Sequence, residues 1–275
     1  MRVFQTCYGS CDESHKIWTG FCQSNLLYLP HNEGKTMKLK RSNDRKVANA
    51  VSPNGKTPKI ANTFGLPAGK EYSCPGATSI CESVCYAGKL EKVYKGVKAV
   101  LLHNWELLRN ADRQEMFTLI SEMIAEFKTE CVKKDAPMLF RIHWDGDFFN
   151  DDYAHAWRLV IEEQPDIQFW VYTRVKSAAI ILKDIPNLSL YYSTDDENKD
   201  IAKDLRSSHG TRLAYLGKTF AVTESVMREL TGKVGAKCPE NNKQIPLIST
   251  NGSACVSCGL CVFNKADIRF SASKK

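Results

Sequence analysis

From residue 138 onward the chain alternates short apolar runs with amphipathic ones, and this alternation restricts the fold more than any other feature. Segments 138–144, 167–173, 188–193 and 212–216 read as strands. Segments 151–163, 176–183, 198–207 and 223–230 read as helices between and after them, the first with Tyr153, Trp157, Val160 and Ile161 on one face. Strands separated by helices at this spacing are joined by right-handed crossovers into a parallel sheet. An earlier strand is expected within 59–68, closed by Pro67 and Gly69, followed by a cysteine-bearing loop and helices over 93–110 and 113–133, the second capped by Asp112. A sixth strand is expected at 244–248 or 268–271. The predicted fold is therefore α/β, a partial (βα)6 parallel barrel with a C-terminal cysteine-rich metal-binding segment.

The 275 residues are 43% hydrophobic and 25% charged, the composition of a folded chain. A chain of this length buries roughly 70–75% of its unfolded surface and needs no disulfides to supplement its core. Eleven cysteines are thus surplus to its stability. The N-terminus has no apolar signal core, and no apolar run approaches a membrane span, so a cytoplasmic location without membrane association is expected. In that reducing compartment clustered cysteines read as metal ligands.

Four segments follow from composition. Residues 1–36, with Cys7, Cys11 and Cys22, have no sustained period and read as a leader or extension, Met37 being the expected natural start after a purine-rich Glu33-Gly34 codon pair. Residues 37–58 form a basic arm: up to Ile60 the cations Lys38, Lys40, Arg41, Arg45, Lys46, Lys56 and Lys59 face the single Asp44. Such a run either steers an anionic partner or is a solvated face. Residues 59–232 form the barrel-like domain and 233–275 the cysteine segment.

Functional groups in parallel α/β folds gather beyond the C-terminal ends of strands. There this chain places Cys74, His143-Trp144-Asp145-Gly146-Asp147, Thr173-Arg174, Ser193-Thr194-Asp195-Asp196 and Gly217-Lys218-Thr219. Asp151, Asp152 and Asp196 read as helix N-caps. Asp145 and Asp147 flank a glycine between an apolar strand and Phe148-Phe149, so one is expected to face a cleft. Strand alternation puts His143 on the face of Arg141 and Asp145, as a core histidine or a ligand.

The cysteines fall into two groups. Cys74-x6-Cys81-x3-Cys85 can hold three irons of a cubane cluster with the fourth open, or zinc with one further ligand. Cys238-Pro239 with Cys255-x2-Cys258-x2-Cys261 is the ligand pattern of a ferredoxin-like cluster, with zinc as the alternative and a purely structural role open to either metal.

Together these features resemble the radical S-adenosylmethionine enzymes, in which three cysteines after the first strand of a partial six-stranded barrel hold a 4Fe–4S cluster. Their usual spacing is x3 and x2, against x6 and x3 here. The resemblance implies Cys74, Cys81 and Cys85 as cluster ligands and Cys238, Cys255, Cys258 and Cys261 as ligands of an auxiliary cluster. It further implies Asp145, Gly146, Asp147, Thr173 and Asp195 as contacts of S-adenosylmethionine, with Asp147 and Arg174 as catalytic residues and an electron donor as partner. Over residues 38–180 the chain also resembles a family of phage gene products. The segments that carry this are Leu66-Pro67-Ala68-Gly69 to Ser73-Cys74-Pro75-Gly76-Ala77, Arg141-x-His143-x-Asp145-Gly146-Asp147-Phe148 and Tyr172-Thr173-Arg174. That likeness implies a phage source, and hence a host cytoplasm, without implying an activity.

The leading expectation is a phage-encoded iron–sulfur enzyme of radical S-adenosylmethionine type, acting on a nucleotide or nucleic acid held by the basic arm. The alternative is a non-catalytic nucleic-acid-binding protein stapled by two zinc sites. A hydrolase built on His143, Asp145 and Asp147 ranks below both, for want of a well-spaced second histidine.

Overall fold

The computed structural model describes residues 37–273. In chain order the elements are β1 (Thr63–Gly65), α1 (Ser79–Val84), α2 (Tyr86–Val93), α3 (Lys95–Leu108), α4 (Arg113–Lys134), β2 (Leu139–Asp145), α5 (Asp151–Glu162), β3 (Gln168–Thr173) and α6 (Lys176–Ile181). They continue with β4 (Leu188–Thr194), α7 (Lys199–His209), β5 (Arg212–Gly217), α8 (Phe220–Thr231), β6 (Ala236–Lys237), β7 (Ile248–Ser249), β8 (Gly252–Ser253), α9 (Ala254–Cys258) and β9 (Ile268–Ser271).

Seven strands form one parallel sheet in the order β1-β2-β3-β4-β5-β9-β6, while β7 and β8 make a small antiparallel pair. The first six of these strands follow one another in chain order, so successive crossovers wind in a single direction. No pairing joins β1 to β6 among the described residues, so the sheet is open and no barrel closes. Of the two candidate sixth strands, 268–271 is the one that enters the sheet; the 244–248 segment contributes only Ile248, to the antiparallel pair. The two-residue β6 is too short to leave a period in the sequence.

Side chains alternate across the sheet as the pleat requires. Phe140, Ile142, Phe169, Val171, Leu188 and Leu190 pack with α4 and α5 in the main core, where Phe127, Tyr153 and Trp157 are fully buried. Tyr192, Leu213 and Tyr215 continue the same face against the helices α6 to α8. On the other face Leu139, Trp170 and Tyr172 meet Val47, Cys255, Cys261 and Val262, and Tyr191, Ala214 and Ile268 meet Cys238 and Leu260. Helices thus cover one face, and the N-terminal segment with the cysteine-rich tail covers the other.

Residues from Met37 on make one compact unit. The segments 37–58, 59–232 and 233–275 are parts of it, the last supplying β9 to the sheet. Residues 1–36, and with them Cys7, Cys11 and Cys22, lie outside the described residues.

Local signals place the helix ends. Asp112 and Glu115 form a reciprocal capping box at α4. The N-cap of α5 is Asn150, whose side chain accepts from the Tyr153 amide; Asp151 and Asp152 sit in the first turn, where they favour the helix dipole without capping it. Asp196 likewise caps nothing and accepts from the Tyr215 hydroxyl at 2.7 Å. The stretch after β1 is not one loop, for it contains α1 and α2. Thr78 caps α1 through the Cys81 amide at 3.0 Å, and the Cys85 sulfur caps α2 through the Gly88 amide at 3.3 Å.

Candidate functional site

The loops that follow β1, β2, β3 and β4 are joined at the C-terminal edge of the sheet by one buried polar network. Asp147, after β2, accepts from the Thr173 hydroxyl and from the Arg174 amide, both at 2.7 Å, and from its neighbour Phe148 at 2.8 Å. Arg174, after β3, donates to Asp195 at 2.7 Å. Asp195, after β4, also accepts from the Thr78 hydroxyl at 2.6 Å, and Thr78 in turn caps the helix carrying Cys81. The Cys74-Pro75-Gly76 turn rests directly on this network: a Cβ on Gly76 would come within 2.5 Å of the Arg174 carbonyl oxygen. Thr173, Asp147, Arg174 and Asp195 are all buried. Their hydrogen bonds make them positioning groups for the cysteine-bearing segment, and burial pushes the Asp147 carboxyl up to about 6.

Asp145 is different. Its Oδ1 accepts from the Gly146 amide at 2.9 Å, but its buried Oδ2 has no donor among the described residues. Burial and the adjoining Glu91 carboxylate push it up to about 8, because two facing acceptors need a proton between them. Gly146 must be glycine here: its φ is +81°, and a Cβ would meet the Ser73 hydroxyl at 2.5 Å and Leu66 at 2.8 Å. The Asp145-Gly146-Asp147 turn stands among the first cysteine group. Asp145 and Asp147 raise the Cys74 thiol, Asp145 raises Cys85, and Asp147 with Asp195 raises Cys81, in each case behind the larger effect of burial.

The second group lines the face of the sheet opposite the helices. Charge interactions connect Cys255 to Cys261 and Cys238, and Cys261 to Cys238 and Cys258; burial, first, then holds Cys255 and Cys261 up at about 12. Beneath them Arg141 pairs with Asp44 at 2.8 Å and lies 5.7 Å from the Tyr172 ring, and Tyr172 packs in the same cluster as Cys255 and Cys261. Gly259, at φ +65°, ends α9 and turns the chain so that Cys261 returns toward Cys258.

All eight cysteines among the described residues are free thiols. No three His, Cys, Asp or Glu side chains among the described residues stand at ligating geometry, so the two cysteine-rich metal sites read from the sequence are not found as formed sites. The donor sets nonetheless suit a soft metal. Burial holds the Cys85 thiol up, while the Gly88 amide, donating to its sulfur at 3.3 Å, works toward the thiolate.

Sequence alternation misplaces His143. Its φ of +57° bulges β2, so the ring turns away from Arg141 and Asp145 toward the helices, where Nε2 lies 2.9 Å from the Tyr153 hydroxyl and Phe148 packs on it edge-on. It is a core histidine, and burial followed by the nearby Arg141 pushes it down to about 3. An unfolded histidine takes up its proton near 6.5 while this one resists until about 3, so stability rises with pH between those values. A shift of that size is on the order of 5 kcal/mol. His143→Asn, which tolerates the positive φ, is expected to flatten the rise in urea-unfolding free energy between those two pH values; an unchanged slope would assign the acid sensitivity elsewhere.

Three of the seven cations of the basic arm are paired. Lys38 pairs with Glu126 at 2.6 Å, Arg41 with Glu130 at 2.8 Å and Lys46 with Glu240 at 2.8 Å, while Val47, Ala48 and Ala50 are buried. Sequence reasoning missed Thr78 and Glu91, and gave Tyr172 no role beyond its place in a family motif. The N-cap preference of threonine could have singled out the first, whereas the other two carry no signal short of the tertiary structure.

A family model described as Gene product 88 matches residues 37–264. The chain belongs to that family, which is the phage gene-product family that its motifs resemble. Its curated relatives include the Gene 88 proteins of Mycobacterium phage L5, 52% identical, and of Mycobacterium phage D29, 51% identical, each over 243 residues that cover 86% of this chain and 99% of the relative. No solved structure matches. Among the described residues no helix is long and apolar enough to cross a membrane.

Proposed function

We propose that this protein is an iron–sulfur enzyme of radical S-adenosylmethionine type, with Cys74, Cys81 and Cys85 holding a 4Fe–4S cluster and Cys238, Cys255, Cys258 and Cys261 an auxiliary one. The observation that carries the reading is the position of the Asp145-Gly146-Asp147 turn. It sits among three thiols at the C-terminal edge of a sheet wound in one direction, with an Asp145 oxygen that lacks a donor. An open sheet wound this way, with helices outside, agrees with the partial barrel that the resemblance implies.

When bound, the cluster and S-adenosylmethionine together supply one-electron cleavage of the bond between the sulfonium sulfur and the 5′ carbon. Everything else falls to the protein. Asp145 and Glu91 offer an anionic pair to the methionyl ammonium, whose protons would satisfy Asp145 Oδ2 and remove the need for a shared proton. Asp147, Thr173, Arg174 and Asp195, all buried, fix the loops that carry this pair and the first cysteine group. An external electron donor and a substrate complete the reaction. A nucleotide or nucleic acid is the class proposed for the substrate, in keeping with a family found in phages.

The test is metal and acid-labile sulfide content, with the optical spectrum, on protein purified without oxygen. Iron with sulfide, and conversion of S-adenosylmethionine to 5′-deoxyadenosine on adding dithionite, is the expected result. Stoichiometric zinc without sulfide would overturn the reading and make both cysteine groups structural staples of a binding protein.

A further inference from the structure

At the edge of the sheet opposite the first cysteine group, the N-terminal ends of β3, β4 and β5 border a cavity of about 820 Å³, within the roughly 300–1,000 Å³ typical of small-ligand sites. Its charged lining is mainly cationic: Lys183 after α6, Arg206 in the last turn of α7 and Arg212 at the start of β5, with the His209 imidazole beside them, stand against the exposed Asp184. These four side chains are half-buried.

Behind them the buried Asp267 faces two guanidinium groups, Arg206 at 3.2 Å and Arg212 at 3.7 Å, and also accepts from the Leu213 amide. Lys183 Nζ lies 3.5 Å from His209 Nδ1. Asp267 and Asp184 together leave Lys183, Arg206 and Arg212 with one positive charge in excess, which an anion in the cavity would balance. Phe263 lines the same cavity, 49% exposed, with the Lys265 ammonium 5.6 Å from its ring centroid.

We propose that this cavity binds a nucleotide unit, its phosphate against Lys183, Arg206 and Arg212 and its base stacked on Phe263. Guanidinium forks match phosphate oxygens, and an aromatic face accepts any base. A small carboxylate would leave Phe263 without a role, and an apolar ligand would leave the cations uncompensated. The site stands apart from the first cysteine group, from which it is separated by the length of the strands, while Phe263 and Asn264 follow Cys261 of the second.

The test is fluorescence anisotropy of a labelled single-stranded oligonucleotide with the full chain, competed by AMP and by inorganic phosphate. Phe263→Ala, at an exposed ring that the fold does not need, is expected to weaken binding roughly tenfold. Lys183→Ala and Arg212→Gln are each expected to reduce the slope of log affinity against log salt by about 0.7. Displacement by AMP would mean that a free nucleotide suffices, and resistance to AMP that the occupant is a strand; both keep the proposal. No binding, indifference to these substitutions, or displacement by inorganic phosphate alone would overturn it. Oligonucleotide binding retained in Cys81→Ala protein separates this site from the fate of the iron–sulfur reading.

Discussion

Cys81→Ala is expected to abolish reductive cleavage of S-adenosylmethionine while leaving the protein folded. The substitution is unusually clean. Cys81 sits in the first turn of α1, and the hydrogen bond that starts the helix comes from its backbone amide to Thr78, which alanine retains. Alanine is also the best helix former, so the segment keeps its place and loses only a thiol. If three thiols hold one cluster and four hold the other, the variant should lose about half the iron and sulfide. The remainder should disappear on Cys258→Ala instead. Metal analysis and product assay on the same preparations decide the matter. Cleavage persisting in the Cys81 variant would sink the catalytic assignment, and iron lost completely from either single variant would mean that the two groups do not load separately.

The parts of the fold that could be read in advance are those where burial alone dictates the pattern. Strands β2 to β5 are runs of large apolar residues bounded by polar turns, and α4 and α5 carry apolar stripes at helical spacing. Elements that owe their form to something else were not legible. Helix α1 has six residues and none buried, so it leaves no stripe and depends on its cap. The bulge at His143 has no glycine or asparagine to announce it; the ring is drawn to Tyr153, ten residues on, and the backbone accommodates this. The basic arm reads as solvated because its acidic partners, Glu126, Glu130 and Glu240, are supplied by distant segments.

The candidate site divides the same way. Which strand ends would be polar follows from the sequence, since parallel sheets present those loops together. Which carboxylate has a spare oxygen does not. Asp145 and Asp147 are two residues apart and chemically equivalent, yet Asp147 is saturated by Thr173, Arg174 and Phe148 whereas Asp145 is left facing Glu91. The difference comes from Gly146, whose positive φ sends the two side chains in different directions.

Asp195→Ala is the substitution expected to cost the most stability, about 3–5 kcal/mol in urea unfolding. Its carboxylate is completely buried and holds three donors: the Arg174 guanidinium at 2.7 Å, the Thr78 hydroxyl at 2.6 Å and the Glu197 amide at 3.0 Å. Removing it leaves a buried positive charge with no counter-ion, and a buried cation without its partner costs far more than the intact pair contributes. The same reasoning predicts that Asp195→Leu combined with Arg174→Met is milder than Asp195→Ala alone, because the double substitution removes the charge that the single one strands. Asp195→Asn should fall between them, keeping an acceptor for only one of Thr78 and Glu197 while losing the charge. Thr78 also ties this pair to α1, so the loss should reach beyond stability. Alkylation of Cys81 by iodoacetamide should quicken in Asp195→Ala and return toward the parent rate in Asp195→Asn. Equal destabilisation by the single and double variants, with no change in Cys81 reactivity, would mean that the network is incidental to how the cysteine segment is held.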